Sequence, residues 1–262
     1  GMALTQDYGR GCVETRYKFG MGHPNALQCM VFALTVLALY LYGEKWKWYG
    51  YAAALAVNIG FFFLTDSKTS LLVGIFAVLY TFLFKVIKND SIRKWFGICG
   101  MGVSGFSVLF SVLIAANAYR IYNYIWYFEW TRPTQFFVYL DRALTGRIAS
   151  LVGTTEWEGT IQTWKLFSDP SSHYFFDLGW VRVFYWYGII PGIIMVAVFL
   201  YMLTYCIQKK RYMELSMAVS FAVYTLVEAH AVSDYIGRNY VLFLLGGMWS
   251  SMLCRKKAGK ES

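Results

Sequence analysis

Charged residues interrupt an apolar sequence most clearly between residues 119 and 182, where they lie among Trp and Tyr side chains. Their types suit a polar substrate, because arginine offers a planar fork of donors to phosphate or carboxylate and histidine transfers protons near neutral pH. Glu228 lies inside an apolar run, where an ionisable side chain is costly and indicates a function by default. We expect Glu228 to pair with an arginine, and the candidates are Arg16, Arg147 and Arg238.

Each candidate residue also has a purely structural interpretation. His23 could cap the first long helix, and Arg16 could contact lipid headgroups. Asp177 could interact with the N-terminal dipole of the helix that follows it. Glu228 could belong to an ion pair that holds two helices together without taking part in chemistry. The local sequence leaves these interpretations open.

Membrane helices must position these residues. The chain has 262 residues, of which 58% are apolar and 15% are charged, whereas soluble domains carry about 25% charged residues. Apolar runs long enough to cross a bilayer recur, and in lipid they must be helical because every backbone polar group needs a partner. We therefore expect an all-α polytopic membrane protein with about seven spans, near residues 24–42, 49–64, 69–86, 96–118, 183–206, 215–232 and 239–253.

The loops between these spans form two sets with different charged residues. One set consists of short loops that are rich in lysine and poor in carboxylates, and it includes residues 43–47, 87–95 and 207–214. The other set holds most of the carboxylates and most of the arginines. By the positive-inside rule, we place the lysine-rich loops and the C-terminus in the cytoplasm. The N-terminus and residues 119–182 then lie outside, the latter as a large extracytoplasmic loop.

This large loop is expected to contain an amphipathic helix on the membrane surface. Apolar residues recur with helical spacing over residues 135–152, and polar residues fall mostly on the opposite face. Gly146 lies inside this segment, where it costs about 1 kcal/mol relative to alanine. It indicates either close approach by another group or a kink with Arg147 reaching the membrane surface. A second short helix is expected at 160–168.

Several classes of function are disfavoured. The sequence contains no glycine-rich nucleotide loop, HExxH or CxxC motif, and its five cysteines are scattered. We expect no cofactor, no metal and no nucleic-acid partner. Residues 1–22 are polar and contain no signal peptide, so we expect the chain to be one membrane domain forming the C-terminal part of a longer protein.

Four short motifs carry a resemblance to a known family. They are Arg16 with Gly20-Met21-Gly22-His23-Pro24-Asn25, Leu144-Thr145-Gly146-Arg147-Ile148, Asp177 ahead of Gly188, Pro191 and Gly192, and Glu228 with Asn239-Tyr240. Together with a large outer loop, these motifs resemble the bacterial O-antigen and capsular polysaccharide polymerases and the related O-antigen ligases. The resemblance covers nearly the whole chain.

The resemblance implies a metal-independent glycosyltransferase in the bacterial cytoplasmic membrane. Such an enzyme polymerises polyprenyl-pyrophosphate-linked oligosaccharide repeats on the outer face and works beside a flippase and a chain-length regulator. The arginines expected to bind pyrophosphate are Arg16, Arg147 and Arg238. The residues expected to accept the hydroxyl proton are His23, Asp177 or Glu228. The aromatic residues expected to contact sugar rings are Trp126, Trp130, Trp157 and Trp180.

The sequence alone leaves other functions open. An O-antigen ligase is expected to use a histidine of the large outer loop, and His173 is a poor match, which favours a polymerase. A transporter or flippase of lipid-linked or anionic solutes predicts charges in several spans and inverted repeats, whereas the sequence shows one such charge and no repeat. A non-catalytic scaffold would not need outer arginines together with a deep Glu228.

Overall fold

The computed structural model describes residues 5–6, 16–17, 19, 23–126, 132–144, 146–152, 160–168, 177–228, 246–247 and 249–250. Two short strands, β1 (Thr5–Gln6) and β2 (Arg16–Tyr17), pair antiparallel. The α-helices in these described ranges are α1 (Pro24–Tyr42), α2 (Trp48–Thr65), α3 (Lys68–Val86), α4 (Asp90–Trp126), α5 (Arg132–Ala143), α6 (Gly179–Tyr187), α7 (Ile189–Gln208) and α8 (Tyr212–Thr225). Short 3₁₀ turns occur at Ala149–Val152 and Ile161–Thr163.

Five helices in the described part of the chain are long and apolar enough to cross a membrane. They are α1, α2, α3, α7 and the Asp90–Asn123 portion of α4. Large apolar side chains remain exposed along them, as lipid contact requires, including Phe63, Leu72, Phe106 and Ile194. The expectation of an all-α membrane architecture is thus supported, whereas seven spans stay a prediction. Helix α8 has only 14 residues, and most of the predicted span 239–253 lies outside the described residues.

The predicted fifth span, 183–206, is wrong as a single helix. Gly188 separates α6 from α7 and has φ of +91°, a conformation that glycine adopts without steric cost. The first amides of α7 are capped by a distant segment, because the Ile189 and Ile190 N–H groups donate to the carbonyls of Lys165 and Leu166 at 2.8 and 3.0 Å. The observed break therefore depends on a tertiary contact as well as on glycine.

The predicted surface helix is also shorter than expected. Helix α5 begins at Arg132 and ends at Ala143 instead of continuing to residue 152. Gly146 adopts φ of +79°, and its N–H donates to the Asp141 carbonyl at 2.8 Å, so it belongs to the turn that closes the helix. A Cβ atom at Gly146 would meet no described group within 4 Å, so close approach does not explain this glycine. The helix predicted at 160–168 is only a 3₁₀ turn.

The chain divides into two compact units. Unit 1 comprises Gly1–Met101, Met202–Phe221 and Ser233–Ser262, and unit 2 comprises Gly102–Tyr201 and Ala222–Val232. In unit 1, a buried polar ladder joins α1 to α2. The Asn58 amide donates to Thr35 Oγ1 at 2.9 Å, the Gln28 amide donates to the Asn58 carbonyl at 3.3 Å, and the Thr65 hydroxyl donates to Gln28 Oε1 at 3.1 Å. Interhelical hydrogen bonds of this kind hold membrane helices together where lipid supplies no hydrophobic drive.

The loops predicted to share the cytoplasmic face do meet at one end of unit 1. The Lys85 ammonium donates to the Glu44 carbonyl at 3.1 Å, which connects the end of α3 to the loop before α2. Lys210 pairs with Asp90 at 2.5 Å, which connects the turn after α7 to the start of α4. The hydrogen bond to Asp90 and its charge raise the pKa of Lys210, so this ammonium stays protonated at neutral pH.

The core of unit 2 supports the segment that follows α5. One buried cluster contains Ile121 of α4, Ile148 of the turn after α5, Leu151 of the 3₁₀ turn, and Val181 and Tyr185 of α6. Close packing of these side chains leaves little room for the segment to shift. The cluster therefore fixes the backbone on either side of Arg147.

Candidate functional site

A buried ion pair joins Arg147 to Glu228 within unit 2. Arg147 Nη2 donates to Glu228 Oε1 at 2.6 Å, and the two side chains are only 5% and 1% exposed. This contact confirms that Glu228 pairs with an arginine, and it identifies Arg147 from the three candidates. Because a buried charge left without a partner is very costly, the two residues must be present together.

The turn after α5 positions Arg147. The buried carboxylate of Asp141 accepts hydrogen bonds from the backbone amides of Ile148 at 2.9 Å and Ala149 at 3.1 Å. Arg147 Nη1 also donates to the Leu144 carbonyl at 3.2 Å. These contacts hold the backbone and the guanidinium in one arrangement. The sequence indicated only a polar helix face for Asp141, although an Asp before a glycine turn is a preferred partner for free backbone amides.

The turn after α8 positions Glu228. Helix α8 ends at Thr225, and the Glu228 N–H donates to the Tyr224 carbonyl at 3.0 Å. Gly179 begins α6 directly against this turn, since a Cβ atom there would lie 2.5 Å from the Glu228 carbonyl oxygen and 2.6 Å from that of Thr225. Only a residue without a side chain allows this approach of the two backbones.

Trp180 anchors α6 instead of presenting its ring to a ligand. Its indole N–H donates to the Ala222 carbonyl at 3.1 Å, and the side chain is 3% exposed. The proposed contact of Trp180 with sugar is therefore wrong, because sugar stacking needs an accessible ring face. A buried Trp with its N–H satisfied is the usual structural role of this residue.

Asp177 is the accessible member of the cluster. Its Oδ2 atom lies 3.5 Å from Arg147 Nε, and its side chain is 37% exposed. The N-cap position of α6 belongs to Leu178, so Asp177 does not cap that helix. The arrangement places one guanidinium between a buried carboxylate and a partly exposed carboxylate.

The charges in this cluster change the role expected for Arg147. Among the described contacts of this cluster, one guanidinium faces two carboxylates. A pyrophosphate group would be repelled by the two carboxylates. Arg147 is thus placed to hold Asp177 and Glu228, and its contact with pyrophosphate stays a prediction. The partly exposed carboxylate of Asp177 suits a hydroxyl donor.

Arg16 and His23 belong to unit 1, and both have structural contacts there. Arg16 is 3% exposed, with Nε donating to the Thr65 carbonyl at 2.5 Å and Nη2 donating to Asn25 Oδ1 at 2.7 Å. It is too buried to contact headgroups, and it links the end of α2 to the start of α1. His23 Nδ1 accepts from the Asn25 N–H at 3.1 Å, which confirms the capping interpretation. This hydrogen bond assigns the proton of a neutral His23 ring to Nε2.

Other predicted site residues lie outside the described part of the chain: Arg238, Trp130, Trp157, His173 and the side chain of Trp126. Sequence reasoning assigned no role to Arg182, which is fully buried in α6 with its guanidinium carbon 3.9 Å from the centre of the Trp186 ring. In the sequence, Arg182 and Trp186 are four residues apart, a spacing that places both side chains on one face of a helix and so indicates their contact. Among the described residues, no group of three or more His, Cys, Asp or Glu side chains could hold a metal ion.

Comparisons of the chain with protein-family models, curated proteins and solved structures gave no match.

Proposed function

We propose that this chain is part of a membrane glycosyltransferase that extends polyprenyl-pyrophosphate-linked glycans, with Asp177 facing the acceptor hydroxyl. The observation that carries the proposal is the buried Arg147–Glu228 pair with a partly exposed carboxylate on the same guanidinium. Ionisable groups at membrane depth are costly and are found mainly where they serve a function. The five apolar helices support a substrate that is itself a membrane lipid.

The proposed reaction needs a group that accepts the proton of a sugar hydroxyl. As the hydroxyl oxygen bonds to the anomeric carbon, the bond from that carbon to the pyrophosphate oxygen breaks and the pyrophosphate leaves with the electron pair. Asp177 can receive the hydroxyl proton, because its carboxylate is the accessible acceptor of the cluster. Glu228 is buried and contacts the same Arg147 guanidinium that faces Asp177, so we assign it a positioning role. Pyrophosphate binding falls to other cations, with Arg238 as the candidate from the sequence.

The test is polymerisation of a purified polyprenyl-pyrophosphate-linked repeat unit by the full-length protein in lipid vesicles. Asp177→Asn keeps the shape of the side chain and removes the base, so kcat should fall by about 10²–10⁴-fold with little change in KM. The matched control is Asp90→Asn, which removes a carboxylate from the exposed pair with Lys210 and should leave the rate unchanged.

Normal product length and rate with Asp177→Asn would refute the assignment of Asp177. Transfer of the intact repeat unit across the vesicle membrane, without lengthening, would refute polymerisation and favour the flippase alternative. Glu228→Asp tests positioning, because it keeps the charge and shortens the side chain. It should lower kcat and shift the pH dependence of kcat, whereas a purely structural Glu228 would change only the amount of folded protein.

A further inference from the structure

A cavity opens at the end of unit 1 where the lysine-rich loops meet. Its volume is about 330 Å³, and its lining includes the cations Lys85, Arg93 and Lys210, the carboxylate of Glu44, and the rings of Phe84 and Tyr212. Ligand sites in proteins are usually about 300–1,000 Å³ and combine apolar walls with a few placed polar groups. This cavity has both properties and lies apart in sequence from the Asp177 cluster.

Two of these cations are held in place by backbone carbonyls. Lys85 Nζ donates to the Glu44 carbonyl at 3.1 Å, and Arg93 Nε donates to the Ile87 carbonyl at 2.5 Å. The Arg93 guanidinium also lies over the Tyr212 ring, 5.6 Å from its centre. These contacts fix the guanidinium plane. The terminal nitrogens of Arg93 have no hydrogen-bond partner among the described residues. Two terminal N–H groups of one guanidinium can donate to two oxygens of one phosphate group.

The net charge at this end is positive. Glu44 lines the cavity, Asp90 pairs with Lys210 and Glu214 pairs with Arg211, so three carboxylates offset part of the positive charge. Five further exposed lysines stand on the same loops and helix ends: Lys45, Lys47, Lys88, Lys94 and Lys209. Cationic clusters of this kind beside membrane helices attract anionic lipid headgroups.

Exposed aromatic residues indicate the depth of the cavity in the membrane. Trp48 at the start of α2 is 72% exposed, and Trp95 in the first turns of α4 is 67% exposed. Tyr49 is exposed beside Trp48. Exposed Trp and Tyr residues at helix ends are typical of the boundary between the hydrocarbon core and the headgroups. The cavity thus opens where lipid phosphates lie, and this placement favours a lipid over a soluble phosphate.

We infer that this cavity binds the phosphate of an anionic phospholipid headgroup, with Arg93 as the bidentate donor and Lys85 as a second positive charge. Exposed apolar side chains at the adjoining helix ends, Val86 and Ile92, offer contact to the lipid chains. Binding here would tie α3, α4 and the turn after α7 together at one membrane face. The inference does not depend on the proposed glycosyltransferase activity.

The test measures the affinity of the purified full-length protein for phosphatidylglycerol and for phosphatidylcholine by native mass spectrometry from detergent. Phosphatidylglycerol should bind more tightly. Arg93→Gln and Lys85→Gln should each weaken its binding by about fivefold, since one basic contact near a membrane surface contributes about 1 kcal/mol. The matched control is Lys47→Gln, which removes the same charge from loop 43–47 at a residue that does not line the cavity.

Three results would overturn the inference. Equal affinity for the two lipids would show that the cavity does not select an anionic headgroup. Equal losses in Arg93→Gln and Lys47→Gln would show diffuse attraction to surface charge. Displacement of bound lipid by dissolved glycerol 3-phosphate at the same concentration would assign the site to a soluble phosphate. Arg93→Lys retains the charge without the fork and should bind with intermediate affinity, which keeps the test valid if the glutamine variant does not fold.

Discussion

Replacing Glu228 by glutamine should destabilise the protein far more than replacing Asp177 by asparagine. Glu228 is 1% exposed and lies 2.6 Å from Arg147, so its neutralisation leaves a buried guanidinium without its nearest counter-charge. Breaking a buried pair in this way costs about 3–5 kcal/mol. Asp177 is 37% exposed and lies 3.5 Å from the same guanidinium, so solvent screens its contribution to about 0–1 kcal/mol.

The assay is thermal unfolding of the full-length protein in detergent, followed by tryptophan fluorescence, with Arg147→Met and the double variant Arg147→Met/Glu228→Gln alongside. The double variant removes both buried charges, so it should be much more stable than the sum of the two single losses predicts. Additive losses in the double variant would refute direct coupling between Arg147 and Glu228. Equal losses for Glu228→Gln and Asp177→Asn would refute the argument from burial.

Three further substitutions test the positioning of the cluster. Gly179→Ala should cost about 1–3 kcal/mol and reduce activity because its Cβ meets the Glu228 carbonyl, whereas Gly102→Ala, with open space around it, should be neutral in the same thermal assay. Asp141→Ala should cost about 1–3 kcal/mol by removing two hydrogen bonds to backbone amides, and Asp141→Asn should recover part of the loss; equal melting temperatures for both would contradict this. Arg16→Leu should cost about 1.5–3 kcal/mol in the thermal assay and leave the KM for the lipid-linked substrate unchanged. A rise in KM without a loss of stability would instead support pyrophosphate binding by Arg16.

The long helices could be predicted because lipid imposes a simple rule on the sequence. The helices at 24–42, 49–64 and 69–86 agree with α1, α2 and α3 to within about one residue at each end, well inside the usual uncertainty of boundaries. The span predicted at 96–118 extends in both directions in α4, since polar residues at a helix end can leave the hydrocarbon core without ending the helix. Hydropathy reports where lipid lies and does not report where a helix ends.

The breaks at Gly146 and Gly188 could not be predicted with the same success. The sequence contains both glycines, but an isolated glycine can lie within a continuous helix as well as at its end. At Gly188 the break is completed by the carbonyls of Lys165 and Leu166, which lie more than 20 residues away along the chain. At Gly146 it is completed by the Asp141 carboxylate, which holds the amides beyond the turn.

Of the predicted site residues, Arg147, Asp177 and Glu228 lie together, whereas Arg16, His23 and Trp180 have structural contacts of their own. A glutamate inside an apolar run of the sequence needs a cation as its partner, which is why pairing of Glu228 with an arginine could be expected from the sequence. The choice of Arg147 depends on a contact across 81 residues of sequence, which no local pattern encodes. The exposure that separates Asp177 from Glu228 is likewise a property of the folded chain.

The polar ladder between α1 and α2 determines which sides of these helices can face each other. Each residue of an α-helix is rotated by about 100° from its neighbour, so an insertion of a single residue between Gln28 and Thr35 would turn one of these side chains away from α2. A displaced amide would then face hydrocarbon, where nothing replaces its lost hydrogen bond. The ladder therefore fixes the rotation of α1 relative to α2, and a change in chain length within it would break these hydrogen bonds.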